Sequence, residues 1–153
     1  MNTEMRRADR ALGREDTYAV FDAAPFLTVA MHGLDGWPYA VNVSFSRVGD
    51  TLYFHSAPAG FKVDSLHLDS RVCVTAVAEQ EPVAATLSVR YRSAVAFGAV
   101  SLITDPEERR AALLSICKKY AADNPEIEKS SAACVSANVY GIQLLEMSGK
   151  IHN

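Results

Sequence analysis

Apolar and polar positions alternate along this chain in short blocks, and the period changes at turn residues. Tyr39, Val41, Val43 and Phe45 alternate with Ala40, Asn42 and Ser44, which predicts a strand with one apolar and one small polar face. Phe26–His32 reads as a strand before it, with Asp35-Gly36 as the hairpin turn between them. Gly49-Asp50 marks another turn, and Thr51–His55 a third strand. These strands are expected to form an antiparallel meander with short connections.

Around them the period becomes helical. Tyr18, Val20 and Phe21 fall partly at helical spacing within Arg14–Ala24, and Pro25 stops that element. The polar, arginine-rich Met1–Leu12 reads as an arm or a first helical turn. Gly60–Leu68 predicts a short helix, and Arg71–Ala78 a strand. Glu79–Pro82 reads as a polar interruption, and Val83–Val89 as either a broken strand or a loop. Tyr91–Ile103 is a long strand in which Gly98 marks a bulge or a close approach. Asp105 caps the next helix, Pro106 opens it and Glu108 supplies the capping-box residue. Ala111, Leu114, Cys117 and Tyr120 follow at helical spacing, and Asn124-Pro125 ends the element. Glu126–Ala137 is expected to be helical in part, Val139–Met147 to be the last strand, and Ser148-Gly149-Lys150 to lead into a tail. About six or seven strands with inserted helices predict a mainly β, α+β fold: an antiparallel barrel or sheet, not a βαβ arrangement.

The chain's 153 residues suit a single domain spanning 1–153. Apolar content of 49% and charged content of 22% exclude wholesale disorder. A net charge of −3 argues against nucleic-acid binding over the whole surface, and only Arg6, Arg7, Arg10 and Arg14 make a locally basic stretch. No apolar run is long enough to span a bilayer, and the N-terminus lacks a signal-peptide core, so a cytoplasmic protein without a membrane partner is expected. Cys73, Cys117 and Cys134 form no CxxC pair and share no local histidine, so they read as buried, reduced thiols and no metal site is expected. The common nucleotide-loop, metallohydrolase and nucleophile-elbow motifs are absent. His32 lies beside a turn, and His67 and His152 have no nearby carboxylate or thiol cluster; all three read as surface or satisfied histidines.

One stretch has chemical content. Leu52–Leu68 runs from a strand through His55, Ser56 and a small-residue loop to Gly60, Lys62 and a helix start. Two readings fit it. In one, Ser56 bonds to local backbone and Lys62 points to water. In the other, Lys62 and the helix N-terminus share an anion, since a cation there is otherwise poorly placed. Asn42 and Ser44 on a neighbouring strand would add polar groups, and Trp37, Tyr39 and Tyr91 could supply a flat apolar wall.

With these residues the chain resembles the pyridoxamine 5'-phosphate oxidase-like, FMN-binding split-barrel flavoproteins, and among them the nitroimidazole-resistance branch. The resemblance is carried by Met5–Arg10, Asp35-Gly36-Trp37-Pro38-Tyr39, Tyr53–Ala57 with Gly60-Phe61-Lys62, Tyr91–Val95 leading to Gly98, and Met147–Lys150. It implies an FMN-binding split β-barrel that forms a homodimer with the cofactor at the subunit interface. It further implies that Ser56, Gly60 and Lys62 hold the flavin phosphate and that Tyr39, Asn42 and Val43 line the ring edge. Tyr91 and Ser93 would approach from another strand, and His55 would stand at the active site. FAD or a deazaflavin are lesser cofactor candidates. Arg92 departs from the acidic or amide residue frequent in the family, and Glu79–Val89 is poor in polar residues expected near a substrate.

The expected activity is an FMN-dependent oxidoreductase passing electrons from NADH or NADPH to a small acceptor, such as a nitroaromatic. His55 would act as proton donor. A flavin carrier or redox sensor without turnover, or the same barrel holding deazaflavin or haem, are the alternatives.

Overall fold

The computed structural model describes residues 5–129 and 136–153. A 3-10 turn at Ala8–Arg10 leads into β1 (Ala11–Leu12) and α1 (Arg14–Ala23). Then come β2 (Leu27–His32), β3 (Pro38–Val43), β4 (Phe45–Val48), β5 (Thr51–Ser56) and α2 (Phe61–Leu68). The long hairpin β6 (Arg71–Val83) and β7 (Ser88–Leu102), α3 (Pro106–Ala121) and β8 (Asn138–His152) complete the order.

The sheet has eight strands in the order β3-β2-β6-β7-β8-β5-β4, with β1 added on β8, and every pairing is antiparallel. Its two outermost strands, β3 and β4, are joined through the single residue Ser44. A sheet whose opposite edges are continuous in the chain must curl back on itself, and a split barrel results. The expected meander is therefore corrected. The Tyr39–Phe45 run is two strands, with β3 paired to β2 and β4 paired to β5. The alternation could not reveal the break because Tyr39, Val41, Val43 and Phe45 face inward on both sides of it; only the partner changes.

The barrel interior is filled by Phe21, Leu27, Val29, Phe45, Leu52, Phe54, Val74, Ala96 and Ile142, all fully buried. Phe54 stacks on Tyr140 with ring centroids 5.2 Å apart. Gly98 sits at a register shift between β7 and β8, and a Cβ there would lie 2.6 Å from the Gln143 carbonyl oxygen, so the close approach requires glycine.

Three boundaries differ from expectation. Glu79–Pro82 belongs to β6, paired with Val89–Arg92 beyond a bulge at Val77/Glu79. Its residues are exposed on both faces of the hairpin, so they carry no alternation. Ser148–Lys150 is strand, held between β7 and β1. In α3 the buried residues are Ala112, Leu113 and Ile116, one position round from the expected Ala111–Tyr120 stripe. Asp105 caps α3 by accepting the Glu108 N–H at 2.8 Å, while the Glu108 carboxylate accepts the Tyr53 hydroxyl at 2.9 Å. Cys73 and Cys117 are half-buried, whereas Cys134 and much of the expected Glu126–Ala137 helix lie outside the described residues. No helix among the described residues is long and apolar enough to cross a membrane.

Candidate functional site

The end of β5 and the start of α2 meet at the barrel rim. Along β5, Leu52, Phe54 and Ser56 point inward while Tyr53 and His55 point outward, so His55 and Ser56 stand on opposite faces of the sheet. Ser56 is buried and its hydroxyl donates to the Ala57 carbonyl at 2.8 Å, a bond to local backbone. That bond occupies the hydroxyl's single proton, so a phosphate would have to replace the Ala57 carbonyl as its acceptor.

Lys62 behaves otherwise. It is half-buried, its ammonium stands 5.9 Å from the Phe54 ring, and burial pushes its pKa below the ordinary value. Burial and the Lys62 charge likewise hold the His55 imidazole below its ordinary value, although the ring itself reaches solvent. Gly60 precedes the helix at φ 127°, a conformation that favours glycine, and α2 has no side-chain cap at its N-terminus. The first-turn N–H groups thus remain available beside the Lys62 ammonium.

Tyr39 reaches the same rim from β3, with its ring edge-on to Phe61 at 4.9 Å. Val43 is buried at the end of β3. Because Phe45 pairs with Phe54, one more step of that register would set Ser44 against His55. Asn42 is exposed and its Oδ1 accepts the Thr28 hydroxyl at 2.7 Å, so its carbonyl end is engaged on the sheet.

Two further residues were not anticipated. Ser65, one turn along α2 from Phe61, is fully buried with an Oγ that has no hydrogen-bond partner among the described residues. Asn138, opposite Ser56 on β8, donates to the Tyr140 hydroxyl at 3.2 Å and reaches the Pro58 carbonyl at 3.5 Å, pinning the loop that precedes α2. Neither has a sequence signal, since each depends on a contact across the fold.

Tyr91 and Ser93 lie elsewhere. Tyr91 pairs with His152 and Ser93 with Lys150, whereas His55 pairs with Val139. These positions are separated along β8 by roughly 36 to 43 Å of extended strand at about 3.3 Å per residue. Hydrogen bonding to Lys150 and Arg10 lowers the Tyr91 phenol pKa. The Trp37–Tyr39–Tyr91 wall therefore does not form within one chain; Trp37 is exposed at the β2–β3 hairpin tip.

The family model described as pyridoxamine 5'-phosphate oxidase matches residues 13–151. The chain belongs to that family. Within it, the chain is similar to a candidate 5-nitroimidazole antibiotic resistance protein from Bacteroides thetaiotaomicron, with 29% identity, 92% of this chain and 86% of that chain covered, and a TM-score of 0.77. An FAD-binding protein from Mesorhizobium loti shares the fold at 21% identity, with 94% and 98% of the two chains covered and a TM-score of 0.67. So does an FAD and haem binding protein from Mycobacterium smegmatis, at 23% identity, 92% and 72% coverage and a TM-score of 0.69. No curated protein sequence matches the chain.

Proposed function

We propose that the chain binds FMN at the α2 rim and is an FMN-dependent oxidoreductase, passing electrons from NADH or NADPH to a small acceptor such as a nitroaromatic. Lys62 carries this reading: a half-buried cation in the first turn of an uncapped helix, with burial opposing its charge. A flavin phosphate supplies the missing anion. The likeness to a candidate 5-nitroimidazole resistance protein supports the acceptor class.

When bound, the flavin supplies the hydride and electron chemistry. The chain's own residues bind and orient it. Lys62 and the first-turn N–H groups of α2 neutralise the phosphate, and the orphaned Ser65 hydroxyl is a further candidate donor nearby. Tyr39 over Phe61 gives an aromatic edge, and Val43 with Asn42 borders it through the end of β3. His55, kept neutral near physiological pH by burial and by Lys62, is the proton carrier.

The separation of His55 from Tyr91 and Ser93 favours a site built from two copies of the chain. A homodimer would bring a second copy's Tyr91 and Ser93 toward the first copy's rim. Val77, Val95 and Leu145, exposed on β6, β7 and β8, give such a pairing an apolar surface.

The deciding experiment is the visible spectrum of the purified protein before and after NADPH. A flavin band that bleaches is expected. A protein left colourless by FMN reconstitution overturns the cofactor; a band that no donor bleaches makes the chain a carrier or sensor; a Soret band makes it a haem protein.

A further inference from the structure

We propose that Trp37, at the tip of the β2–β3 hairpin, selects the acceptor: its indole stacks on a flat, electron-poor ring brought to the α2 rim. This rests on the flavin reading of that rim and adds the surface that recognises the second reactant. Trp37 is the chain's one tryptophan and is 74% exposed. It is not an isolated apolar residue, because Leu34 in the same turn and Phe61 at the start of α2 are also exposed, at 47% and 40%. A cluster of this kind beside a binding rim gains free energy from a partner that covers it.

Hydrogen bonds and one close contact fix the hairpin against α2. The Gly33 N–H donates to the Trp37 carbonyl at 2.9 Å, continuing the β2–β3 register one step past His32 and Pro38. The Trp37 N–H donates to Asp35 Oδ1 at 3.1 Å, and the Gly36 N–H to the Gly33 carbonyl at 2.9 Å. At the base of the hairpin, His32 Nδ1 lies 2.9 Å from Oδ2 of Asp69, the residue that follows α2. Gly33 packs directly on the helix start, since a Cβ there would lie 3.2 Å from Phe61 Cε1. Residues two apart on a strand share a face, so Trp37 stands on the Tyr39 side, about 6.6 Å further along. The Tyr39 ring is edge-on to Phe61 at 4.9 Å, and Phe61 directly precedes Lys62. Trp37 is thus the next aromatic outward from the Tyr39–Phe61 edge.

That order along the rim selects the ligand. In the flavin reading Lys62 takes the phosphate and the Tyr39–Phe61 edge takes the ring, which leaves Trp37 for a second flat molecule entering from solvent. The face of an indole is electron-rich, so it attracts a ring whose substituents withdraw electrons, and stacked pairs have centroids about 4.5–7 Å apart. A nitroaromatic meets both conditions. A saturated ring of the same size gains the apolar contact alone.

The test titrates the full-length, FMN-loaded protein with 4-nitrobenzyl alcohol, and with cyclohexylmethanol as the non-aromatic counterpart, followed by calorimetry and by Trp37 fluorescence. Saturable binding of 4-nitrobenzyl alcohol is expected, with indole quenching at the same midpoint. Trp37→Leu is expected to weaken it by about fivefold or more, leaving cyclohexylmethanol and FMN affinities within about twofold. Trp37→Phe keeps an aromatic face and retains most of the affinity. No saturable binding, or equal 4-nitrobenzyl alcohol affinity in native protein and Trp37→Leu, overturns the proposal. A parallel loss of FMN affinity in Trp37→Leu also overturns it, because the indole would then cover the flavin. So does a fall in the mass of Trp37→Leu by light scattering, because a second copy would then cover the indole. A protein that takes up no FMN overturns both readings at once, whereas flavin-loaded protein indifferent to Trp37 overturns this one alone.

Discussion

His55 and Tyr91 sit at opposite ends of one strand: His55 pairs with Val139 at the start of β8, and Tyr91 with His152 at its end. No ligand of flavin size touches both within one chain. If both serve one cofactor, two copies must meet, and light scattering is expected to give a dimer. Val95→Glu, which places a charge on the exposed apolar face of β7, is expected to dissociate it and to weaken flavin binding by about tenfold or more. A monomeric variant that retains full flavin affinity would show the rim of one chain to be sufficient.

Lys62 and Ser56 are expected to contribute unequally. Removing the Lys62 ammonium deletes a charge-assisted bond to phosphate, so Lys62→Ala weakens FMN by about 1.5–3 kcal/mol. Ser56→Ala changes affinity little, because the hydroxyl proton is already given to Ala57. Fluorescence titration of FMN against the two single variants separates these effects. A larger loss in Ser56→Ala than in Lys62→Ala would place the phosphate inside the barrel wall.

His55 gives a pH dependence with a definite sign. Its folded pKa is lowered from 6.5, first by burial and then by Lys62. The unfolded chain therefore takes up the proton first as pH falls, and stability decreases on acidification through and below about pH 6.5. Lys62→Gln removes one cause, so the His55 titration followed by proton NMR shifts upward in that variant. Phosphate or FMN, by neutralising Lys62, shifts it the same way in the native protein. A titration indifferent to Lys62 would break the coupling between the two residues.

The elements were largely legible in the sequence because each is written in local period and turn chemistry. Asp105-Pro106 at α3 and Gly98 at the β7 bulge are local necessities and stand where expected. Pairing was less legible. Passing through Ser44 changes the partner of the chain but not the parity of Tyr39, Val41, Val43 and Phe45, so a meander and a split barrel share one pattern. The face of α3 was ambiguous for a similar reason: Ala111, Leu114 and Cys117 and Ala112, Leu113 and Ile116 both satisfy helical spacing, and packing on β4 and β5 decides between them. At the site, Lys62 and Gly60 were readable as a strand–helix joint. The His32–Asp69 pair, 37 positions apart, was not, because only the β2–β6 pairing brings it together.

The corner where β4 leaves Ser44 is held by the C-terminal turn of α3, and its two contacts are expected to respond differently to substitution. The Tyr120 hydroxyl accepts the Phe45 N–H at 3.1 Å and donates to the Pro25 carbonyl at 2.8 Å. Tyr120→Phe leaves both backbone groups without that partner and is expected to cost about 1–3 kcal/mol. Lys119 lies 3.6 Å from the Phe45 ring centroid and donates to the Phe21 carbonyl at 3.0 Å, yet burial lowers its pKa to about 8. Between about pH 8 and the unfolded value of 10.5 the unfolded chain binds the extra proton, so native stability rises with pH across that window. Lys119→Met abolishes this rise while keeping an apolar stem against Phe45. Urea unfolding at several pH values from 7 to about 10 reads both effects: a pH-independent loss in Tyr120→Phe, and a vanished alkaline slope in Lys119→Met. An alkaline slope that survives in Lys119→Met would assign the titration to another group and leave Lys119 as a packing residue alone.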